Sequence, residues 1–166
     1  MMNVNKNLFV LVFLIASSFF VSCIKEGVVF DETQDTGTEW LKEDVKSFTY
    51  TNTDTVSYYN MFLTTRANKD YPYSNLFVIV KTFHPDGKAI ADTLQYSMAD
   101  ATGKMLGNGI TDLKESELWF KTKYRFKQEG TYKFTLQQAV RKSDSPTGDS
   151  ALKGVHSVGF RIEKAQ

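Results

Sequence analysis

The sequence predicts an all-β protein: an antiparallel β-sandwich, immunoglobulin-like or jelly-roll-like, of about eight or nine strands. Three observations carry that prediction. Apolar and polar residues alternate with a period of two over much of the second half of the chain, as in strands with one wet face. The 166 residues include 13 Phe, 8 Tyr and 2 Trp, side chains that favour strands and bury large areas. Gly, Pro, Asn and Asp punctuate the runs, and no segment has the sustained period of a long amphipathic helix. Only "TDLKESELWF", from Thr111 to Phe120, has room for a helical turn.

The first element is not part of the sandwich. Lys6 is the only charge before Lys25, and Leu8–Val21 reads "LFVLVFLIASSFFV". A basic start followed by a short apolar run is the pattern of a secretory signal. The run is shorter than the roughly 20 apolar residues of a spanning helix. It ends at Val21-Ser22-Cys23, and Cys23 is the only cysteine. One cysteine cannot close an intramolecular disulfide, and an unpaired thiol is unusual in an exported protein.

That boundary resembles the lipobox of bacterial lipoproteins, with Phe20 standing where Leu is common. The resemblance implies cleavage before Cys23, a diacylglycerol on its sulfur and an acyl group on its new amino terminus. Several acyl chains hold a protein on a membrane where one alone binds marginally. Residues 1–22 are then signal peptide, 23–45 a lipidated N-terminus and tether, and 46–166 the sandwich. The tether is expected to be a polar spacer with a short strand at Val28–Asp31. Ile24, rather than Asp, follows the cysteine, which favours the outer membrane. Only Glu26 is acidic nearby, which favours its periplasmic face.

Within the domain, Val56–Thr65 is aromatic on both faces and Leu76–Phe83 ("LFVIVKTF") is apolar on both at its start, as expected of a central strand. "HPDGK" at His84–Lys88 predicts a hairpin turn. Ile90–Met98 places Ile90, Leu94, Tyr96 and Met98 on one face. "ADATGKMLGNG" is a broad loop. Leu118–Phe126 opposes Leu118, Phe120, Tyr124 and Phe126 to Trp119, Lys121, Lys123 and Arg125. "KQEG" turns tightly into Thr131–Val140, whose inner face is Tyr132, Phe134, Leu136 and Val140. Gly130 before Tyr132 resembles the entry to a late sandwich strand. "KSDSPTGDS" at Lys142–Ser150 is the most loop-like later stretch. Val155–Ile162 closes the domain with His156, Val158, Phe160 and Ile162 inward and Val155, Ser157, Gly159 and Arg161 on a wet face.

The residues for catalysis are few. His84 sits in a turn and His156 on an apolar face, with no Cys or carboxylate cluster beside either, so a zinc ligand set is missing. No Ser lies in a G-x-S-x-G turn, and "GKMLGNG" lacks phosphate-loop spacing. The carboxylates are scattered and no activated acid–base pair is readable, so no enzyme activity, metal or cofactor is expected beyond lipid on Cys23. The formal charge of the full chain is +1. Its mixed pattern, with no long run of one sign, argues against nucleic acid as a partner.

One aromatic cluster stands out. Tyr71 and Tyr73 flank Pro72 ahead of the central strand, and Tyr58 and Tyr59 are placed to extend the group. It is read either as a stiff loop whose tyrosines lid the core or as an exposed contact for a partner or a glycan. A flat platform of Tyr71, Tyr73 and Trp119 would indicate sugar. An apolar patch at a sheet edge would indicate protein.

Three stretches in order, "DYPYSNLFVIVKTFHPDGKAIADTLQYSMADATGKMLGNGITDLKESELWFK", "FKQEGTYKFTLQQAVR" and "VGFRIEK", resemble the GldH-type gliding-motility lipoproteins of the Bacteroidetes. The resemblance runs from about Phe48 to Lys164, and the lipobox cysteine fits it. It implies a non-catalytic envelope lipoprotein, an accessory subunit of the gliding machinery linked in several cases to type IX secretion. The partners it implies are the membrane, through the lipid, and other gliding or secretion envelope proteins. Only Cys23 carries over as a site. The alternative is a lipid-anchored carbohydrate-binding module.

Overall fold

The computed structural model describes residues 27–141 and 148–166. The signal sequence, Cys23 and most of the "KSDSPTGDS" stretch lie outside the described residues. Ten strands follow in order: β1 (Val28–Asp35), β2 (Glu39–Leu41), β3 (Lys46–Asn52), β4 (Tyr59–Ala67), β5 (Asn75–Phe83), β6 (Ala89–Ser97), β7 (Lys114–Tyr124), β8 (Gly130–Gln138), β9 (Ala151–Lys153) and β10 (Val155–Lys164). They form two four-stranded sheets, β1-β10-β4-β7 and β3-β8-β5-β6, with a small β2-β9 ribbon. Every pairing is antiparallel. The all-β sandwich is therefore as the alternation predicts.

The sheets face each other through aromatics. Phe160 of β10 stacks on Phe134 of β8 at 4.3 Å between centroids and lies 6.2 Å from Phe48 of β3. Tyr59, Phe126 and Tyr132 extend the same core towards one end. The other end is plugged by Trp40 of the ribbon, fully buried, whose Nε1 donates to the Asp44 carbonyl at 2.8 Å. Burying an indole requires a partner for its N–H, and the turn after β2 supplies one.

Both open sides of the sandwich are stitched. Where β1 lies beside β3, Phe30 meets Tyr50 edge-on and Gln34 Nε2 donates to the Ser47 carbonyl at 2.8 Å. Where β6 lies beside β7, Tyr96 donates to the Trp119 carbonyl at 2.8 Å and Lys121 pairs with Asp92 at 3.0 Å. Such cross-links occupy groups that would otherwise template pairing with another chain.

Four expectations change. The short strand expected at Val28–Asp31 runs on to Asp35, inside the stretch read as tether, and pairs along β10. "TDLKESELWF" holds no helical turn: from Lys114 it is strand β7, paired residue by residue with β4 as far as Trp119 and with an irregular register beyond. The expected wet face of the last strand is largely buried, with Val155, Ser157 and Gly159 all covered. The reason is topological: β10 sits between β1 and β4 and is central. His156 is only half-buried, at a register irregularity between Val155 and Ser157.

Candidate interaction surfaces

The strands have two ends, and the loops that carry the candidate residues divide between them. One end holds the β3–β4 connection, the β5–β6 hairpin and the β7–β8 turn. There His84 N donates to the Lys88 carbonyl at 2.8 Å and Gly87 takes a φ of 83°, as the "HPDGK" signal requires. The opposite end holds the β4–β5 and β6–β7 loops and the ribbon.

Tyr71, Pro72 and Tyr73 lie in the β4–β5 loop at that opposite end. Tyr71 is buried and donates its hydroxyl to the Asn75 carbonyl at 2.8 Å. Burial pushes that phenol far above its ordinary range, so it stays neutral. Tyr73 is half-buried, meets Tyr71 edge-on at 5.8 Å and bonds through its hydroxyl to the Asp149 carboxylate. Pro72 between them is exposed. Tyr71 is thus a lid on the core, and only Pro72 and part of Tyr73 face outwards.

Beside them lies a concavity of about 790 Å³ between the two loops, lined by Tyr71, Pro72, Tyr73, Met105 and Ile110 among others. Lys69 and Asp112 pair across it at 2.9 Å. Ile110 is fully exposed and Leu106 is exposed as well. The backbone fixes Ile110 at a tip: Asn108 and Glu115 exchange two hydrogen bonds of 2.7 and 2.8 Å beneath it. The sequence reading missed this isoleucine because a lone apolar residue in a glycine-rich loop has no periodic signal.

Tyr58 and Tyr59 do not extend the cluster, because they lie at the other end. Tyr59 is buried, and burial pushes its hydroxyl up to about 12. Tyr58 is exposed there.

Trp119 is separate again. It faces outwards from the β1-β10-β4-β7 sheet, 54% exposed, and packs on Phe62 at 4.4 Å. Asp31, Arg161, Phe62 and Trp119 form one row across the four strands. A groove of about 490 Å³ beside the indole is lined by Asn60, Phe62, Glu117, Glu163, Lys164 and Gln166. The platform of Tyr71, Tyr73 and Trp119 considered from sequence therefore does not form.

Comparison with known proteins gives the family. The sequence profile of the GldH lipoprotein family matches residues 28–162, from the first residue of β1 to within two residues of the end of β10. The chain belongs to the GldH lipoprotein family. It is 43% identical over 153 residues to the gliding motility lipoprotein GldH of Flavobacterium johnsoniae, covering 92% of this chain and 94% of that one. It is 42% identical over 156 residues to a gliding motility lipoprotein GldH homolog of Christiangramia forsetii, covering 94% and 95%. Among solved structures, the infectious bursal disease virus VP2 subviral particle is a distant likeness: TM-score 0.35, 14% identity, 81% of this chain and 33% of that one. The GldH family is a gliding-motility lipoprotein family, not an established enzyme family, and membership assigns the chain to the membranes of the cell envelope.

Proposed function

We propose that this GldH-family chain is a non-catalytic accessory subunit of the gliding machinery, joined to type IX secretion through its envelope partners. It is anchored by acyl chains on Cys23 in the outer membrane and faces the periplasm. The observation that carries the protein-binding part is the concavity at the β4–β5 and β6–β7 loops. An exposed isoleucine, held at the tip of a closed turn beside Pro72 and Tyr73, suits an apolar anchor in a protein interface. The buried Tyr71 leaves no aromatic platform there for a sugar.

The test is complementation of a Flavobacterium johnsoniae strain lacking its own GldH, with affinity recovery of the tagged lipoprotein from detergent-solubilised envelopes. The intact chain is expected to restore spreading and to recover motility or secretion proteins. Cys23→Ala is expected to lose both, and Ile110→Asp to keep membrane anchoring but lose the recovery. Restored spreading with Cys23→Ala would overturn the role of the lipid.

The carbohydrate-binding alternative retains one observation, the exposed Trp119 with Asn60, Glu117 and Glu163 beside it, since an indole face stacks on sugars while amides and carboxylates bind hydroxyls. Binding of envelope glycans by the intact chain but not by Trp119→Ala would favour it.

A further inference from the structure

The chain enters the sandwich at a defined corner. The Gly27 carbonyl accepts from Lys164 N at 2.8 Å, and Val28 stands in register with Glu163. On the other side of β10, Ala165 N donates to the Tyr58 carbonyl at 2.8 Å. Gly27, the end of β10 and the start of β4 are therefore neighbours at one end of the domain. That end is the one with the β3–β4 connection, opposite the tyrosine loop.

The same corner presents apolar side chains to solvent. Val56 is 79% exposed and Tyr58 52% exposed. Val29 is exposed too, at the register irregularity between Val28 and Phe30. Val56 is not outward by accident of a loose loop. The Asp54 carboxylate accepts from both Val56 N and Ser57 N at 2.9 Å, closing a turn that sets Val56 at its tip. Lys164 Nζ stands 3.8 Å from that carboxylate and ties the turn to the end of β10.

Only Ile24, Lys25 and Glu26 separate Cys23 from Gly27. Four residue steps of at most about 3.6 Å limit the reach from the cysteine to this corner to about 14 Å. The ten residues of β10 span about 33 Å. An anchor on Cys23 therefore reaches the Val56 end and cannot reach the Ile110 end.

We infer that Val29, Val56 and Tyr58 form a bilayer-contact surface that seats the domain end-on, with the Pro72–Ile110 concavity pointing away from the membrane. The inference rests on acylation of Cys23, as proposed above. The chemistry fits lipid: tyrosine is favoured at the headgroup level, where its ring is apolar and its hydroxyl wet. Small exposed apolar groups beside it add buried area to what the acyl chains supply.

The test uses the full acylated lipoprotein in phosphatidylethanolamine–phosphatidylglycerol vesicles containing a lipid with a nitroxide high on its acyl chain. Acylation consumes the Cys23 thiol, so Val56→Cys or Ile110→Cys carries the only free thiol for a bimane label. The expected result is a blue shift and loss of most emission at position 56, with position 110 unquenched. Vesicle-bound protein with position 56 unquenched, or with both positions quenched alike, would overturn the inference. Flotation with vesicles and maleimide reactivity of Cys23 in the unsubstituted chain read the anchor separately. A reactive Cys23 with no flotation would overturn the acylation reading, and this orientation would fall with it.

Discussion

Arg161 and Asp31 face each other in register across β10 and β1, and the guanidinium holds the carboxylate through both Nε at 3.0 Å and Nη2 at 2.6 Å. Arg161 also bonds the Glu117 carboxylate on β7 and lies 3.9 Å from Glu163. One cation therefore gathers carboxylates from three strands of the outer sheet face. Its own side chain is mostly covered, and burial opposes the charge; the acids outweigh that effect and hold it ionised, with its pKa raised. Replacing Arg161 by Met leaves Asp31, Glu117 and Glu163 facing one another. The expected cost is about 2 kcal/mol in urea unfolding of the sandwich domain. Asp31→Asn is expected to cost about 1 kcal/mol, since Asp31 is partly solvated and surface pairs contribute little. High salt is expected to narrow the Asp31→Asn difference. Arg161→Met as stable as the parent would show that this network has no role in seating β1.

Of the ring contacts between the two sheets, Phe160 on Phe134 is the shortest, and both rings are buried. Phe160→Ala removes the ring that also touches Phe48 and Phe120. Loss of transfer energy plus an unfilled cavity predicts about 3–5 kcal/mol of destabilisation. That is a large share of the roughly 5–15 kcal/mol that holds a domain together. Phe160→Leu is expected to cost markedly less, as it refills part of the space. Equal midpoints for the two variants in chemical denaturation would contradict this account.

How much of this was legible in the sequence depended on where each strand sits. Leu76–Phe83 and Thr131–Val140 are legible as strands, because each keeps a strict inner row: Leu76, Val78 and Val80 in one, Tyr132, Phe134 and Leu136 in the other. The last strand is only half legible. Ser157 and Gly159 look solvent-facing by type, yet a Cβ on Gly159 would lie 2.3 Å from Thr64 Oγ1 and 2.6 Å from the Glu32 carbonyl. Neighbouring strands close over that glycine, and their identity is a long-range fact with no local signal. The same holds for β1, whose polar residues suit an edge strand but do not announce a partner near residue 160. Tyr71 and Tyr73 were indistinguishable in "DYPYSN", since which ring turns inward is set by contacts with residues 149 and 154 far along the chain. Arg161 gathers acids that are scattered in sequence, so the cluster was invisible until the strands were paired.

Tyr96 links β6 to β7 by donating its hydroxyl to the Trp119 carbonyl. Burial, with a contribution from the Asp92 charge, pushes its pKa from the ordinary 10.0 up to about 12. The folded state therefore holds this proton where the unfolded chain has lost it. Below pH 10 both states are protonated and the shift has no effect on stability. Between about pH 10 and 12 the unfolded state ionises first, so stability falls as pH rises. Tyr96→Phe is expected to flatten that alkaline limb while lowering stability near neutrality by about 1 kcal/mol, through the lost hydrogen bond. Denaturation midpoints at pH 8 and pH 11 for both proteins check it: an unchanged slope in the variant would assign the alkaline loss to other groups.

Gly154 decides whether Tyr71 closes the far end. It sits at φ 75° between β9 and β10, and its carbonyl accepts from Asn68 N at 2.8 Å. An added Cβ would stand 2.4 Å from Tyr71 N and 2.7 Å from Asn68 Oδ1. Neither can withdraw cheaply. The Asn68 oxygen accepts from Asp70 N at 3.0 Å, and Tyr71 N donates to the Asn68 carbonyl at 3.1 Å, so both belong to the turn that aims Tyr71 inward. Left-handed backbone adds its own penalty for a side chain, of order 1 kcal/mol. Gly154→Ala is therefore expected to destabilise the domain by about 2–3 kcal/mol and to shift Tyr71 towards solvent. The second effect separates this account from a generic loss of stability. Under native conditions, the Gly154→Ala chain is expected to show a Tyr71 ring newly accessible to nitration, with Tyr132 in the core still protected. If Tyr71 stays protected in a folded Gly154→Ala chain, the close approach of Gly154 is not what seats it.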